Sequence, residues 1–306
     1  MNKTTIYHFL AIIVVMVWGT TYISAKVLLR EGLEAHEIYV LRFILAYLCM
    51  CFLSFKKWIA DSWKDELKLM LLGLTGGTMY FVMQNLALEH TYANNVSFIV
   101  STSPLMATLI TLAVSRGVKA SLALIFGSLL ALVGVAMVIF NGQFVLRVSP
   151  LGDLLSLGAA LSWAIYSVII KQLSDRYDVL FITRKVFFYG LITAIPVFVF
   201  WPWSSPISVL YHTDVLLNLL YLGVVASFVC FFAWSVVLQK LGVIRGSNYI
   251  YLGPICTMLA SAVFLDEPMT MISFIGSILI LLGVFWAARS RSIIVSGIAN
   301  PRRHTR

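Results

Sequence analysis

Charge is what this 306-residue chain has least of: charged side chains make up 11% of it and hydrophobic ones 60%, against roughly 25% and 45–50% in an ordinary soluble domain. A water-soluble globule covers its surface with charge, and here there is too little, so lipid must be part of the solvent. Carboxylates are scarcest where they would matter most. Glu89, Asp153, Asp266 and Glu267 fall at the ends of apolar runs, and no run has an acidic residue near its centre. Proton- or sodium-coupled carriers often use such a group, so drug-cation/proton antiport is disfavoured. The five histidines (His8, His36, His90, His212, His304) are scattered at run ends or in tails. They form no two-histidine helix motif, which leaves an intramembrane metalloenzyme without its ligands. The four cysteines (Cys49, Cys51, Cys230, Cys256) lie inside apolar stretches and read as small apolar side chains, not a disulfide framework or a metal site. Nothing calls for a cofactor or a metal.

What is present is a succession of apolar runs. A bilayer core needs about 20 mostly apolar residues per helix. Spans fall near 6–28, 36–55, 67–88, 93–114, 120–140, 151–172, 181–201, 215–238, 244–265 and 269–288, ten in all. The runs are long and continuous, without the alternation of a lipid-facing strand, so the fold class is an all-α membrane protein and not a β-barrel. Lys3 ahead of the first run resembles a signal peptide, but the run from Ile6 to about Leu28 exceeds the usual h-region of about 7–15 residues and reads as an uncleaved span. Of the 22 basic residues, 18 fall in one set of alternate loops and the two termini; only Lys26, Arg30, Arg42 and Arg147 fall on the other side. The positive-inside rule puts both termini in the cytoplasm, which an even span count requires. The net charge of +9 is thereby explained by topology, with no nucleic-acid partner implied.

The chain also repeats itself. Gly127-Ser128-Leu129-Leu130-Ala131-Leu132-Val133-Gly134-Val135 recurs as Gly276-Ser277-Ile278-Leu279-Ile280-Leu281-Leu282-Gly283-Val284, a shift of 149 residues (276 − 127). At nearly that shift Pro104 pairs with Pro254, Ser97 with Ser247, and Leu72-Gly73 with Leu222-Gly223, while Trp18 and Lys26 match Trp163 and Lys171. Five spans per half put the second half into the membrane upside down. Inverted repeats of this kind are a recurrent architecture of secondary transporters, because two similar halves facing opposite ways can exchange conformations.

These residues resemble the drug/metabolite transporter superfamily, in its ten-span group with two EamA-type repeats. The resemblance is carried by Val17-Trp18-Gly19-Thr20-Thr21, by Ala87-Leu88-Glu89-His90-Thr91-Tyr92-Ala93, by the proline-containing spans 4 and 9, and by Leu265-Asp266-Glu267-Pro268 followed by Gly276 and Gly283. It implies repeats at 6–140 and 151–288, a basic cytoplasmic tail at 289–306, and export of amino acids or related metabolites across a bacterial inner membrane. It further implies a cavity among spans 1, 3, 4, 6, 8 and 9, with spans 5 and 10 peripheral. In one place the chain departs from the pattern: a glutamate matching Glu267 is expected before span 5, where the chain reads Ser115-Arg116-Gly117-Val118-Lys119. That favours a structural role for Glu267.

Polar and aromatic residues deep in the spans are the candidates for touching a solute, since polar groups are costly in lipid. They are Trp18, Tyr22, Tyr80, Gln84, Asn85, Asn95, Ser101, Trp163, Tyr166, Trp234, Ser235, Asn248 and Tyr251, with Asn94, Ser97, Ser103 and Tyr249 nearby. Pro104 and Pro254 are expected to kink their helices. Lys26, Arg42 and His90 are the ionisable residues nearest a pathway; for Lys26 and Arg42, near span ends, snorkelling to the interface is the favoured reading. The function expected is a secondary exporter or facilitator of a small neutral or zwitterionic metabolite such as an amino acid, working by alternating access in a lipid bilayer as a monomer or homodimer. A proton-coupled antiporter, and more remotely an intramembrane enzyme, are the alternatives.

Overall fold

Long apolar runs fold as helices in lipid because every backbone N–H and C=O must find its partner inside the chain. The computed structural model describes residues 3–53, 57–91, 93–114, 118–119, 121–140, 149–264, 271–289 and 293–294. Helix α1 (Lys3–Arg30) ends at Gly32, whose φ of +94° lets the chain reverse into α2 (Ala35–Leu53). Helix α3 (Trp63–Gly73) starts at Ser62, whose hydroxyl accepts the Asp65 N–H at 3.2 Å. It runs through a π-helical segment, Leu74–Met79, into α4 (Tyr80–His90). There follow α5 (Ala93–Val100), α6 (Ser103–Val114), α7 (Leu122–Phe140), α8 (Pro150–Ser174) and α9 (Val179–Phe200). Helix α10 (Thr213–Leu220) continues through a second π-helical segment, Tyr221–Val229, into α11 (Cys230–Leu241). Last come α12 (Val243–Ser247), a 3₁₀ segment Asn248–Leu252, α13 (Gly253–Phe264) and α14 (Met271–Arg289). One two-residue antiparallel ladder joins Val118–Lys119 to Ile293–Ile294.

Among the described residues five helices are long and apolar enough to cross a membrane: Thr5–Arg30, Ala35–Leu53, Pro150–Ser174, Val179–Phe200 and Thr213–Leu241. Ser103–Val114, Leu122–Met137 and Phe274–Ala287 are shorter apolar helices. Large apolar side chains cover much of the outside, among them Phe9, Ile13 and Met16 of α1, Phe126, Leu129 and Val133 of α7, and Leu281, Phe285 and Trp286 of α14. Such a surface suits lipid and not water.

Where helices must touch, glycine lets them. Helices α7 and α14 run antiparallel, Gly127 against Gly283 and Gly134 against Gly276. A Cβ on Gly134 would lie 2.5 Å from the Gly276 carbonyl oxygen, and one on Gly283 would lie 2.5 Å from that of Gly127. Backbones this close are typical of small-residue packing in membranes. Helix α3 meets α9 at Gly73, whose Cβ would sit 2.5 Å from that of Tyr189, and the second π segment meets α2 at Gly223, 2.7 Å from Leu45 Cβ.

Pro104 and Pro254 stand just after breaks in the helical path and not at bends within a helix. The chain leaves helical geometry at Ser101–Thr102, and Pro104 is the second residue of α6; the 3₁₀ segment precedes α13, of which Pro254 is the second residue. Proline is tolerated there because the first N–H groups of a helix have no internal acceptor to lose. The Leu265–Pro268 motif with Glu267, the stretch Ser115–Gly117 and the tail beyond Ile294 lie outside the described residues, as do the side chains of Asn94 and Asn95.

Candidate functional site

Three tryptophans from different helices meet at the centre. Trp18 of α1 lies edge-on to Trp163 of α8, with ring centroids 5.3 Å apart, and 5.2 Å from Trp234 of α11. Tyr80 of α4 and Tyr166 of α8 pack on Trp163 at 4.9 Å and 5.0 Å. Helical spacing gathers these rings: Trp18 and Tyr22 are one turn apart, as are Trp163 and Tyr166, and Phe231 and Trp234. The cluster is anchored at the π segments. A π turn lengthens the hydrogen-bond step and leaves a carbonyl to be satisfied from elsewhere. Trp18 Nε1 donates to the Ala226 carbonyl of the second segment at 2.9 Å, and the Ser162 hydroxyl donates to the Thr75 carbonyl of the first at 2.8 Å.

Beside the tryptophans is a cavity of about 50 Å³. Its walls are Val15, Trp18, Gly19, Thr21 and Tyr22 of α1, Arg42 of α2, Tyr80, Phe81 and Gln84 of α4, Ser97 and Val100 of α5, Ser101, Ser103 of α6, Trp163 of α8, Phe231 of α11, Ile250, and Gly253 and Pro254 of α13. Helices α7 and α14 contribute nothing to it. The volume exceeds the roughly 10–15 Å³ that a single water needs.

Of the residues expected to touch a solute, Trp18, Tyr22, Tyr80, Gln84, Ser101 and Trp163 line this cavity, and Pro254 with them. The others stand behind it. Asn85 is buried and donates to the Ala35 carbonyl at 3.0 Å. Trp234 is fully buried, with its indole N–H lacking an acceptor among the described residues. Ser235 bonds back to the Phe231 carbonyl at 2.8 Å. Asn248 holds Ile244 and Ser128, at 2.6 Å and 3.1 Å. Tyr166 and Tyr251 are buried off the cavity, and Pro104 opens α6 without reaching it. Asn95 falls outside the described side chains.

Arg42 corrects the expectation from sequence. It does not snorkel: it is 2% exposed, its guanidinium lies 4.1 Å from the centroid of the Phe81 ring, and its Nε donates to Ser227 Oγ at 2.9 Å. Among the described residues no carboxylate pairs with it. A cation–π contact out of water contributes about 2 kcal/mol and a charged hydrogen bond about 1.5–3 kcal/mol. Burying an unpaired ion costs several kcal/mol, so the balance leaves a cation that would gain from an anionic partner. Snorkelling is the favoured reading from sequence because Arg42 is six residues into its span, about 9 Å of rise, within reach of the interface for a long side chain.

Both ends of the bundle are tied across. At one end the buried Glu37 of α2 accepts from the N–H groups of Ser204 and Ser205 at 2.8 Å and 3.1 Å, from Glu34 N–H at 3.0 Å, and from the Ser205 hydroxyl. At the other, Lys185 and Tyr189 of α9 both donate to Glu66, Arg184 donates to the Lys57 carbonyl, and Arg176 and Tyr177 reach Asp65 at 3.3 Å and 3.0 Å. Burial pushes the Glu66 carboxyl up, but the bonds from Lys185, Tyr189 and the Ala60 N–H outweigh it and hold the pKa below the usual range. For Asp65, too, burial raises and the Tyr177 and Arg176 bonds win.

Comparison with known proteins gives this arrangement its setting. The sequence profile of the EamA-like transporter family matches the chain twice, at residues 5–140 and 150–289. An "Uncharacterized transporter" of Archaeoglobus fulgidus is 28% identical over 289 residues, covering 93% of this chain and 97% of that one. A "Probable amino-acid metabolite efflux pump" of Escherichia coli (strain K12) is 28% identical, over 90% of this chain and 92% of that one. A solved crystal structure shares the fold at a TM-score of 0.71 and 17% identity, over 94% of this chain and 96% of that one.

Proposed function

Given that the chain belongs to the EamA-like transporter family, we propose that it is a secondary transporter carrying a small zwitterionic or neutral metabolite, such as an amino acid, by alternating access. The observation that carries this is the tryptophan-walled cavity, lined by residues of both halves of the chain and holding one cation and no carboxylate among the described residues. Export is the direction we favour, since one relative is named an efflux pump for amino-acid metabolites.

The architecture we propose is ten spans in two inverted five-span repeats, 6–140 and 151–288, with both termini cytoplasmic in a bacterial inner membrane. Reciprocal contacts support it. If Gly127 and Gly276 are equivalent, as Gly134 and Gly283 are, then the contact of Gly127 with Gly283 and that of Gly134 with Gly276 are the same contact seen twice. The π segments behave alike, at corresponding places, each with a carbonyl taken by a side chain from the other half. Two helices broken ahead of a proline complete the correspondence.

No carboxylate lines the cavity among the described residues, which favours a facilitator or exchanger over proton antiport. The test is flux of labelled neutral amino acids and small metabolites into proteoliposomes, with and without a pH gradient. Selective flux that ignores the gradient supports the reading; flux that needs the gradient replaces it with proton coupling, and absence of flux throughout the panel refutes it.

A further inference from the structure

We infer that Arg42 is the anchor for a single carboxylate on the transported solute, so that the site takes monocarboxylates and rejects amines and amides of the same shape. The inference rests on reading this cavity as the substrate site. Arg42 is the one charged side chain on the cavity wall among the described residues. Its Nε is committed to Ser227, while its other two nitrogens make no hydrogen bond among the described residues. Arginine presents those donors as a planar fork that matches the two oxygens of a carboxylate. The Phe81 ring lies against the guanidinium without neutralising it.

The rest of the wall fits the remainder of such a solute. Trp18 and Trp163 offer ring surface to an ammonium group or an apolar side chain, and Gln84 offers both a donor and an acceptor. The wall therefore holds one positive charge among the described residues. One charge matches a monocarboxylate. A dianion such as phosphate would bring one negative charge more than the wall can pair, and an organic cation would face Arg42 in a medium of low dielectric constant.

The experiment titrates the purified full-length protein, following tryptophan fluorescence, with L-alanine, L-leucine, L-threonine and L-phenylalanine. Each is set beside its amide and its decarboxylated amine, with inorganic phosphate as a further arm. The expected result is binding of at least one free acid, roughly tenfold or more tighter than its amide or amine, with phosphate inert. Arg42→Gln should bring that ratio close to one, and Arg42→Lys should keep part of it. Because the ratio is taken within one preparation, a lower yield of folded variant does not affect it. Equal affinity for acid and amide, a ratio that survives in Arg42→Gln, response to phosphate alone, or no response to any acid would each overturn the assignment. Flux separates it from the transport reading: carboxylate-dependent binding without flux refutes transport and leaves the anchor, whereas equal flux of acids and amides does the reverse.

Discussion

The seam between α7 and α14 gives the sharpest test of the inverted architecture. Replacing Gly134 with alanine puts a methyl group 2.5 Å from the Gly276 oxygen and 2.7 Å from the Ile280 nitrogen, where ordinary contact begins at 3.4 Å. Both obstacles are backbone, so the helices must separate by about 0.9 Å, the difference between 3.4 and 2.5. A gap of that size forfeits roughly a quarter to a half of each dispersion contact along the seam. Overpacking of this kind costs about 1–3 kcal/mol, and the better helix propensity of alanine returns about 1 kcal/mol. The net expectation is ~0–2 kcal/mol of destabilisation, read as a fall in the thermal midpoint of the detergent-solubilised protein of up to roughly 8 °C. Gly283→Ala should behave the same way within error, because its methyl group meets Gly127 as that of Gly134 meets Gly276. The double variant should cost less than the sum, since one separation of the helices relieves both clashes. Gly158→Ala is the control: its new atom meets only the Met83 side chain, a flexible neighbour that can turn away. A rise in midpoint for either seam variant, or a difference between the two above ~1 kcal/mol, would refute the reasoning.

Three further outcomes are expected. Trp18→Phe removes the bond to the Ala226 carbonyl and shrinks the central ring cluster, at ~2 kcal/mol in total; flux should fall about tenfold or more while Trp58→Phe, at an exposed position, leaves it unchanged. Glu66→Gln strips the mostly buried Lys185 of its anion, for ~2–3 kcal/mol after allowing for the partial exposure of Glu66, and thermal unfolding at neutral pH should show it. With pH the sign is fixed: the Glu66 and Asp65 carboxyls are held below their usual range, so their contribution is present above the unfolded-state pKa. It is lost as pH falls through the lowered values. Wild-type stability should therefore drop on acidification more steeply than that of a Glu66→Gln variant.

The apolar runs and the repeat were legible because both are written in residue type along the chain, one as length and the other as paired glycines such as Gly127 and Gly276. What the sequence withheld was rotation about each helix axis. Helix α2 is apolar nearly all round, so no stripe tells whether Arg42 faces lipid, the interface or the interior; burial at 2% answers it only once the neighbours are in place. The same blindness mixed the cavity wall with the layer behind it, so that Trp163 and Trp234 read alike although only Trp163 reaches the cavity. The π segments had no signal beyond glycines at Gly73, Gly76, Gly77 and Gly223, which also suit plain close packing. Yet they supply the carbonyls that hold Trp18 and Ser162.

The ties at the two ends of the bundle differ in kind. Glu37 is held by neutral donors, all from backbone N–H groups and one serine hydroxyl, while Glu66 and Asp65 face Lys185, Arg176 and two tyrosines. Beside Glu37 only the exposed His212–Glu31 pair, 3.6 Å apart, adds an ionic contact among the described residues. Dissolved ions thus act unequally on the two. Added salt weakens a partly exposed ion pair such as Arg176–Asp65 and leaves buried neutral hydrogen bonds almost untouched. Ionic strength is therefore a lever on the Glu66 end of the bundle, and the Glu37 end is nearly deaf to it.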